Sequence, residues 1–270
     1  MSATIYFQEF RTRIRSVITW SVAVAAIVFL FFSIYPGFAA QAALLNSMFA
    51  KFPPALLEAF GMQNSQSFAT VLGFYGFIFV FVQLCLAIQA SNYGFGLVSI
   101  EETELTADFL LSKPVSRSQV MTSKLLAALT SLTITNLVVW VVSFISLALY
   151  NGGNSYNTGT LVLLLVSIII FQLFFLGVGL VISLLVKRVR SVTPYSLALG
   201  FGMYVLSAFS SVVAEVKLEY ITPFKHLEPN YIVQHNAYNT PLLVLNIAVS
   251  LIALGVSYWL YIRRDIQAVS

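Results

Sequence analysis

The chain has 270 residues, of which 59% are hydrophobic and 9% charged, and its mean hydropathy is +0.89. Soluble domains carry about 25% charged residues, so this composition excludes a water-soluble globular protein and defines an integral membrane protein. The net charge of +4 lies beside apolar runs with no clustered basic face, which excludes nucleic acid as a partner, and the single cysteine, Cys85, excludes an intramolecular disulfide.

In chain order, the first signal is the segment before the first apolar run. Phe7, Phe10, Ile14 and Val17 repeat at helical spacing, while Glu9, Arg11, Arg13 and Arg15 fill the other positions. It is either an amphipathic helix lying in the membrane interface or a basic flank of the first span. The apolar run that follows lacks a small-residue cleavage pattern, so the N-terminus reads as retained. Cutting the apolar runs at charges, prolines and polar loops predicts six membrane-spanning helices, roughly 16–35, 68–92, 116–149, 160–186, 192–214 and 241–262. Each reaches the ~20 residues that cross a hydrocarbon core. The expected fold class is all-α and polytopic, one transmembrane domain over 1–270.

Between the first two spans, the stretch from Phe52-Pro53-Pro54 to Phe60-Gly61 has proline at a helix start and glycine at its stop, and predicts a short amphipathic helix. No charge occurs from Ala59 to Ile100 or from Leu125 to Val186, yet residues 99–124 hold seven of the 24 charged residues. Within this island Ser99 and Glu102 have capping-box spacing, which predicts a helix start near Ile100. Glu101, Glu104 and Asp108 line one stripe of that helix, and Leu105, Phe109, Leu110 and Leu111 supply an apolar face. Lys113-Pro114 stops it, because proline disfavours helix in the preceding residue and has no N–H to donate. Ser116 with Gln119 repeats the capping-box spacing and starts the third span. The island is thus expected to be a short surface helix, a proline break and a capped span. The last long loop, Lys217 to Thr240, carries Tyr220, Phe224, Tyr231 and Tyr238, and is expected to pack on the outer membrane surface.

An N-terminus on the cytoplasmic side places Arg11, Arg13, Arg15, Lys113, Arg117, Lys124, Lys187, Arg188, Arg190, Arg263 and Arg264 there. Only Lys51, Lys217 and Lys225 then lie outside. The positive-inside rule selects this orientation, with both termini cytoplasmic.

The residues that could carry chemistry are few. No Gly-x-x-x-x-Gly-Lys-Ser/Thr loop occurs, so ATP is not held here in the P-loop manner. Gly94-Phe-Gly96 has no third glycine and is expected to ease the end of the second helix. His226 and His235 with Glu228 do not make up a zinc ligand set, and no metal site is expected. Gln83, Gln89, Asn136, Gln172 and Asn246 are the polar candidates inside spans. They either line a pathway or hydrogen-bond between helices, the latter worth about 0.6–2 kcal/mol each. None is ionisable, which disfavours an ion-coupled secondary transporter.

The run Glu101-Glu102-Thr103-Glu104-Leu105-Thr106-Ala107-Asp108-Phe109-Leu110-Leu111-Ser112-Lys113-Pro114-Val115-Ser116-Arg117, followed by Lys124, resembles the "E-E-x-G-T-x-x-x-L-L-S-x-P-V-S-R … K" segment of type-2 ABC-transporter permeases. The resemblance extends to the layout of the whole chain, including Thr222-Pro223-Phe224-Lys225 and Tyr261-Ile262-Arg263-Arg264-Asp265-Ile266. The glycine that the family often carries before the threonine is absent.

The resemblance implies a six-span membrane subunit of a prokaryotic exporter in the cytoplasmic membrane. It would pair with a second copy or a paralogue and be driven by two separately encoded ATPase subunits that hold ATP and Mg. It also implies that Glu101, Glu102, Leu105, Leu110, Leu111, Pro114, Val115, Ser116 and Arg117 form or brace the contact with the ATPase. No cofactor is expected on this chain. Two other readings stay open at this point: an ion-coupled secondary transporter, and a membrane anchor or sensor that recruits a cytoplasmic protein without transport.

Overall fold

The structure is a computed structural model. It describes residues 2–41, 44, 47, 48, 51–53, 70–103, 115–186, 189, 191–212 and 217–263, with the side chains of 100–103, 211 and 212 excepted. Among the described residues there is no strand, and six helices are long and apolar enough to cross a membrane.

The first helix, α1 (Ala3–Ser33), is unbroken. It contains no glycine or proline, so nothing interrupts it, and the amphipathic segment of Phe7, Phe10, Ile14 and Val17 is its first turns, not a separate element. Its buried face, Arg13, Val17, Ser21, Val24, Val28 and Phe32, follows the i, i+3/i+4 rule. Pro36 then starts α2 (Tyr35–Ala40). The helix expected over 52–61 lies outside the described residues from its third position onward.

The second long helix, α3 (Val71–Thr103), runs well past the expected end at 92. No helix starts near Ile100. Ser99 sits inside α3 and its hydroxyl donates back to the Phe95 carbonyl at 2.5 Å, so it does not cap a new helix. The side-chain bond to the preceding turn is available wherever the helix continues, and it removes the capping function. The surface helix expected after it, over 104–114, lies outside the described residues.

The third, α4 (Arg117–Tyr150), starts as expected: Ser116 Oγ accepts from the Gln119 N–H while Gln119 Oε1 accepts from the Ser116 N–H. The turn after it uses Gly152 and Gly153 at φ +62° and +79°, a conformation that favours glycine. Asn157 then caps α5 (Thr158–Leu185), its side chain accepting from the N–H groups of Gly159 and Thr160. Two further long helices follow, α6 (Val192–Val212) and, after the last loop, α9 (Thr240–Arg263).

Helices α3 and α5 form the centre and are buried along most of their length, whereas α1, α6 and α9 turn much of their surface outward. Lipid gives no hydrophobic force between apolar helices, so close packing must hold them. Gly94 supplies it: a Cβ there would lie 2.4 Å from the Leu176 carbonyl oxygen, so α3 and α5 touch backbone to backbone. This replaces the expectation that Gly94 eases a helix end, because the helix continues to Thr103. On α9 the buried face is Leu242, Asn246, Ser250, Ala253, Ser257 and Tyr261, mostly small or polar, and it packs on α5.

The last loop does not lie on the membrane surface as expected. It forms a 3-10 turn (Leu218–Tyr220), α7 (Pro223–His226) and α8 (Pro229–His235), and folds back into the bundle. Thr222, Phe224, Leu227 and Ile232 are buried, while Tyr220 and Ile221 stay exposed. The ring of Phe224 meets Phe171, Phe175 and Tyr204 at centroid distances of 5.0, 6.0 and 5.6 Å. Gln83 Nε2 donates to the Leu227 carbonyl at 2.9 Å. Gln83 stands about 18 Å along α3 from Val71, at ~1.5 Å per residue. Irregular backbone at such depth is tolerated only where protein covers it. Here two short helices, the Gln83 amide and the Thr222 hydroxyl, which donates to the Met203 carbonyl at 2.8 Å, provide the polar partners.

Candidate functional site at the basic end of the bundle

Four helices meet where α4 begins, at the end of the bundle that carries the N-terminus. Ser116 fixes the first turn through its capping box, which removes two of the unpaired N–H groups of a helix start. Val115 packs, half-buried, against the core, and Arg117 Nη1 donates to the Ile262 carbonyl near the end of α9 at 3.4 Å. One turn further, the hydroxyls of Ser118 and Thr122 both meet the Tyr258 hydroxyl of α9. Ser123 exchanges two bonds with the backbone of Ser2, 2.8 Å from its N and 3.2 Å from its O.

Lys124 lies beneath this layer. It is 1% exposed, its Nζ donates to the Leu97 carbonyl of α3 at 2.6 Å, and Glu9 Oε1 of α1 is 3.5 Å away. Glu9 in turn holds Arg13 at 2.5 Å through its other oxygen. Two cations thus share one carboxylate where three helices converge, and a charge this far from water must be paired. The start of α4 is thereby locked to α1, α3 and α9 at once.

Of the residues expected to form or brace the ATPase contact, Val115, Ser116 and Arg117 stand at this corner. Glu101 and Glu102 are helical at the end of α3, their side chains outside the described set. Leu105, Leu110, Leu111 and Pro114 lie outside the described residues. A family model, ABC-2 family transporter protein, matches residues 3–266. The chain belongs to the ABC-2 transporter family. It is a membrane permease component of an ABC transporter, and the family implies association with an ABC ATPase. No curated protein sequence matches the chain.

The amides inside the spans of this ABC-2 permease all hydrogen-bond. Gln89 Nε2 donates to Thr135 Oγ1 at 2.9 Å, joining α3 to α4. Asn136 Nδ2 donates to Gln172 Oε1 at 2.8 Å, joining α4 to α5. Asn246 Nδ2 lies 3.2 Å from His226 Nδ1, joining α9 to α7. With Gln83 on the Leu227 carbonyl, each of the five pins one element to another.

Three residues of weight were not singled out from sequence. Lys124 counts there as a cytoplasmic basic residue that closes the family-like run, and Glu9 as one polar position of the amphipathic segment or basic flank, neither as a buried ion partner. Neither carries a sequence signal of its burial, because the atoms that pair with it come from other helices. His226, set aside as a weak metal ligand, is 2% exposed and bonded to Asn246. Burial lowers its pKa from the ordinary 6.5, more than the nearby carbonyls of Tyr220 and Glu219 raise it.

Proposed function

We propose that the permease is the six-span half of an ATP-driven exporter, with its N-terminus cytoplasmic, working as a dimer of two copies or of one copy and a paralogue on two ATPase subunits. ATP and Mg are held by the ATPase, and this chain converts the ATPase's motion into a change of access across the membrane. The orientation rests on eleven basic residues at one end against three at the other.

The observation that carries the reading is the position of the corner at Ser116–Lys124, immediately after the segment that resembles the family's ATPase contact. A push delivered near residues 101–114 would reach α4 at its capped first turn. From there it would pass through Lys124 to α1 and α3, and through Arg117 and Tyr258 to α9. On the sequence, Pro114 would supply the hinge. Apart from the His226 imidazole beside Asn246, the polar groups deeper in the bundle are amides and hydroxyls, which supports a hydrophobic or amphipathic cargo over a small ion.

The test is transport and ATPase activity in proteoliposomes holding the permease with its co-purified ATPase. Arg117→Glu and Leu110→Asp are expected to leave insertion intact and to abolish cargo-stimulated ATP hydrolysis. Normal transport by either variant with the ATPase bound would overturn the assignment of this contact.

A further inference from the structure

Two arginines from different helices meet at the seam between α4 and α9, at the end of the bundle that carries the N-terminus. Arg117 Nη1 of α4 donates to the Ile262 carbonyl, and Arg263, the next residue of α9, holds its guanidinium 4.4 Å from the centre of the Trp259 ring. Arg263 is exposed and makes no ion pair among the described residues. Stacking on the indole fixes the plane of the guanidinium and leaves its N–H edge free, the geometry that grips a phosphate through two parallel bonds.

The second observation is what surrounds this pair. The hydroxyls of Ser118, Thr122 and Tyr258 are joined by two hydrogen bonds, which use two of their three O–H hydrogens and leave one donor beside the exposed Ser118. Gly255 shares the Tyr258 face of α9, three residues before it, and nothing lies within 4 Å of a Cβ placed there. Beneath the hydroxyls the seam is therefore open toward the bilayer. Trp259 is 51% exposed, and deeper along α9 Leu251 and Ile252 are exposed in their turn. Donors for an anion stand above an apolar notch, and the exposed indole marks the depth of the head groups.

We propose that the α4–α9 seam binds an anionic phospholipid, its phosphate held by Arg263, Arg117 and the spare hydroxyl hydrogen, with an acyl chain lying in the notch at Gly255. A zwitterionic lipid fits less well, because its cationic group finds no carboxylate there. Glu9 is held by Arg13 and Lys124, and Glu219 and Glu228 belong to the infolded loop. The bound phosphate fastens the first turn of α4 to the end of α9, where the protein itself supplies only hydroxyl bonds and the 3.4 Å contact of Arg117. The inference needs only a chain that spans a membrane, and it does not depend on the ATPase or on the cargo.

The test is native mass spectrometry of the full chain in detergent, titrated with dioleoyl phosphatidylglycerol and, in parallel, with dioleoyl phosphatidylcholine. Phosphatidylglycerol is expected to bind saturably and about fivefold or more tighter than phosphatidylcholine. Arg263→Gln is expected to lower the affinity for phosphatidylglycerol by about fivefold and to leave phosphatidylcholine unchanged, which also shows that the variant is folded. Arg15→Gln, at an exposed arginine of α1, is the control for general attraction to basic residues and is expected to change neither lipid. Gly255→Leu fills the notch without altering charge and is expected to weaken binding of phosphatidylglycerol. Equal affinity for the two lipids, a loss in Arg15→Gln as large as that in Arg263→Gln, or unchanged binding in Gly255→Leu overturns the proposal.

Discussion

Lys124 of α4 donates its ammonium to the Leu97 carbonyl of α3 at 2.6 Å, seven residues into a helix whose first turn is capped in polar surroundings. A carbonyl bonded to a charge beside Glu9 makes this the polar keystone of the basic end. Lys124→Met keeps the length of the side chain and removes the charge. It is expected to destabilise the permease by about 1–3 kcal/mol, because Glu9 keeps Arg13 while the Leu97 carbonyl loses its charged donor. Thermal unfolding of the detergent-purified chain checks the cost. The same variant is expected to retain the ATPase and lose stimulation of hydrolysis by cargo.

The contact of Gly94 with the Leu176 carbonyl predicts a large effect from a single methyl. Gly94→Ala places Cβ 2.4 Å from a backbone oxygen that cannot rotate away, so α3 and α5 must part. The expected loss is about 1–3 kcal/mol. Gly202→Ala is the control, since nothing lies within 4 Å of its Cβ, and its midpoint is expected to equal or slightly exceed that of the parent.

The bond between His226 and Asn246 is the tie between the infolded loop and α9. A double-mutant cycle with His226→Leu and Asn246→Leu is expected to give a coupling of about 0.6–2 kcal/mol. Additive effects in thermal or chemical unfolding would show that the two side chains are neighbours without mutual stabilisation.

His226 also sets a pH dependence. Its folded pKa is below the ordinary 6.5, so the unfolded chain binds the proton more readily. Its contribution to stability is present above about pH 6.5 and is lost as the pH falls from there through the folded value. The groups facing the ring are Asn246, the carbonyls of Glu219 and Tyr220, and the side chains of Glu219, Lys225 and Glu228, which line a cavity with it. Midpoints measured across pH 5–8 are expected to fall more steeply on the acid side in the parent than in His226→Gln.

Much of the fold was legible because membrane spans announce themselves by length and apolarity. All six were placed, and the Ser116–Gln119 cap marked the start of the third within a residue. The same spacing at Ser99 and Glu102 misled, since a capping box is a local signal and the preceding helix was already propagating through it. The infolded loop was missed for a related reason. Tyr220, Phe224, Tyr231 and Tyr238 suit a head-group layer or a protein interior equally well, and only the facing partners Phe171, Phe175 and Gln83 decide between them.

By itself, the amino-acid sequence determined what is set along the chain: six helices, the basic asymmetry of their ends, and the charged island with its likeness to a transporter family. The tertiary structure alone decided which polar groups are buried against each other. Lys124, Glu9 and Arg13 became a shared ion cluster, and His226 became a buried neighbour of Asn246 beside a cavity. Span prediction sums over twenty residues of one segment, whereas a buried charge or amide is specified by single atoms brought from distant segments, and only packing supplies those distances.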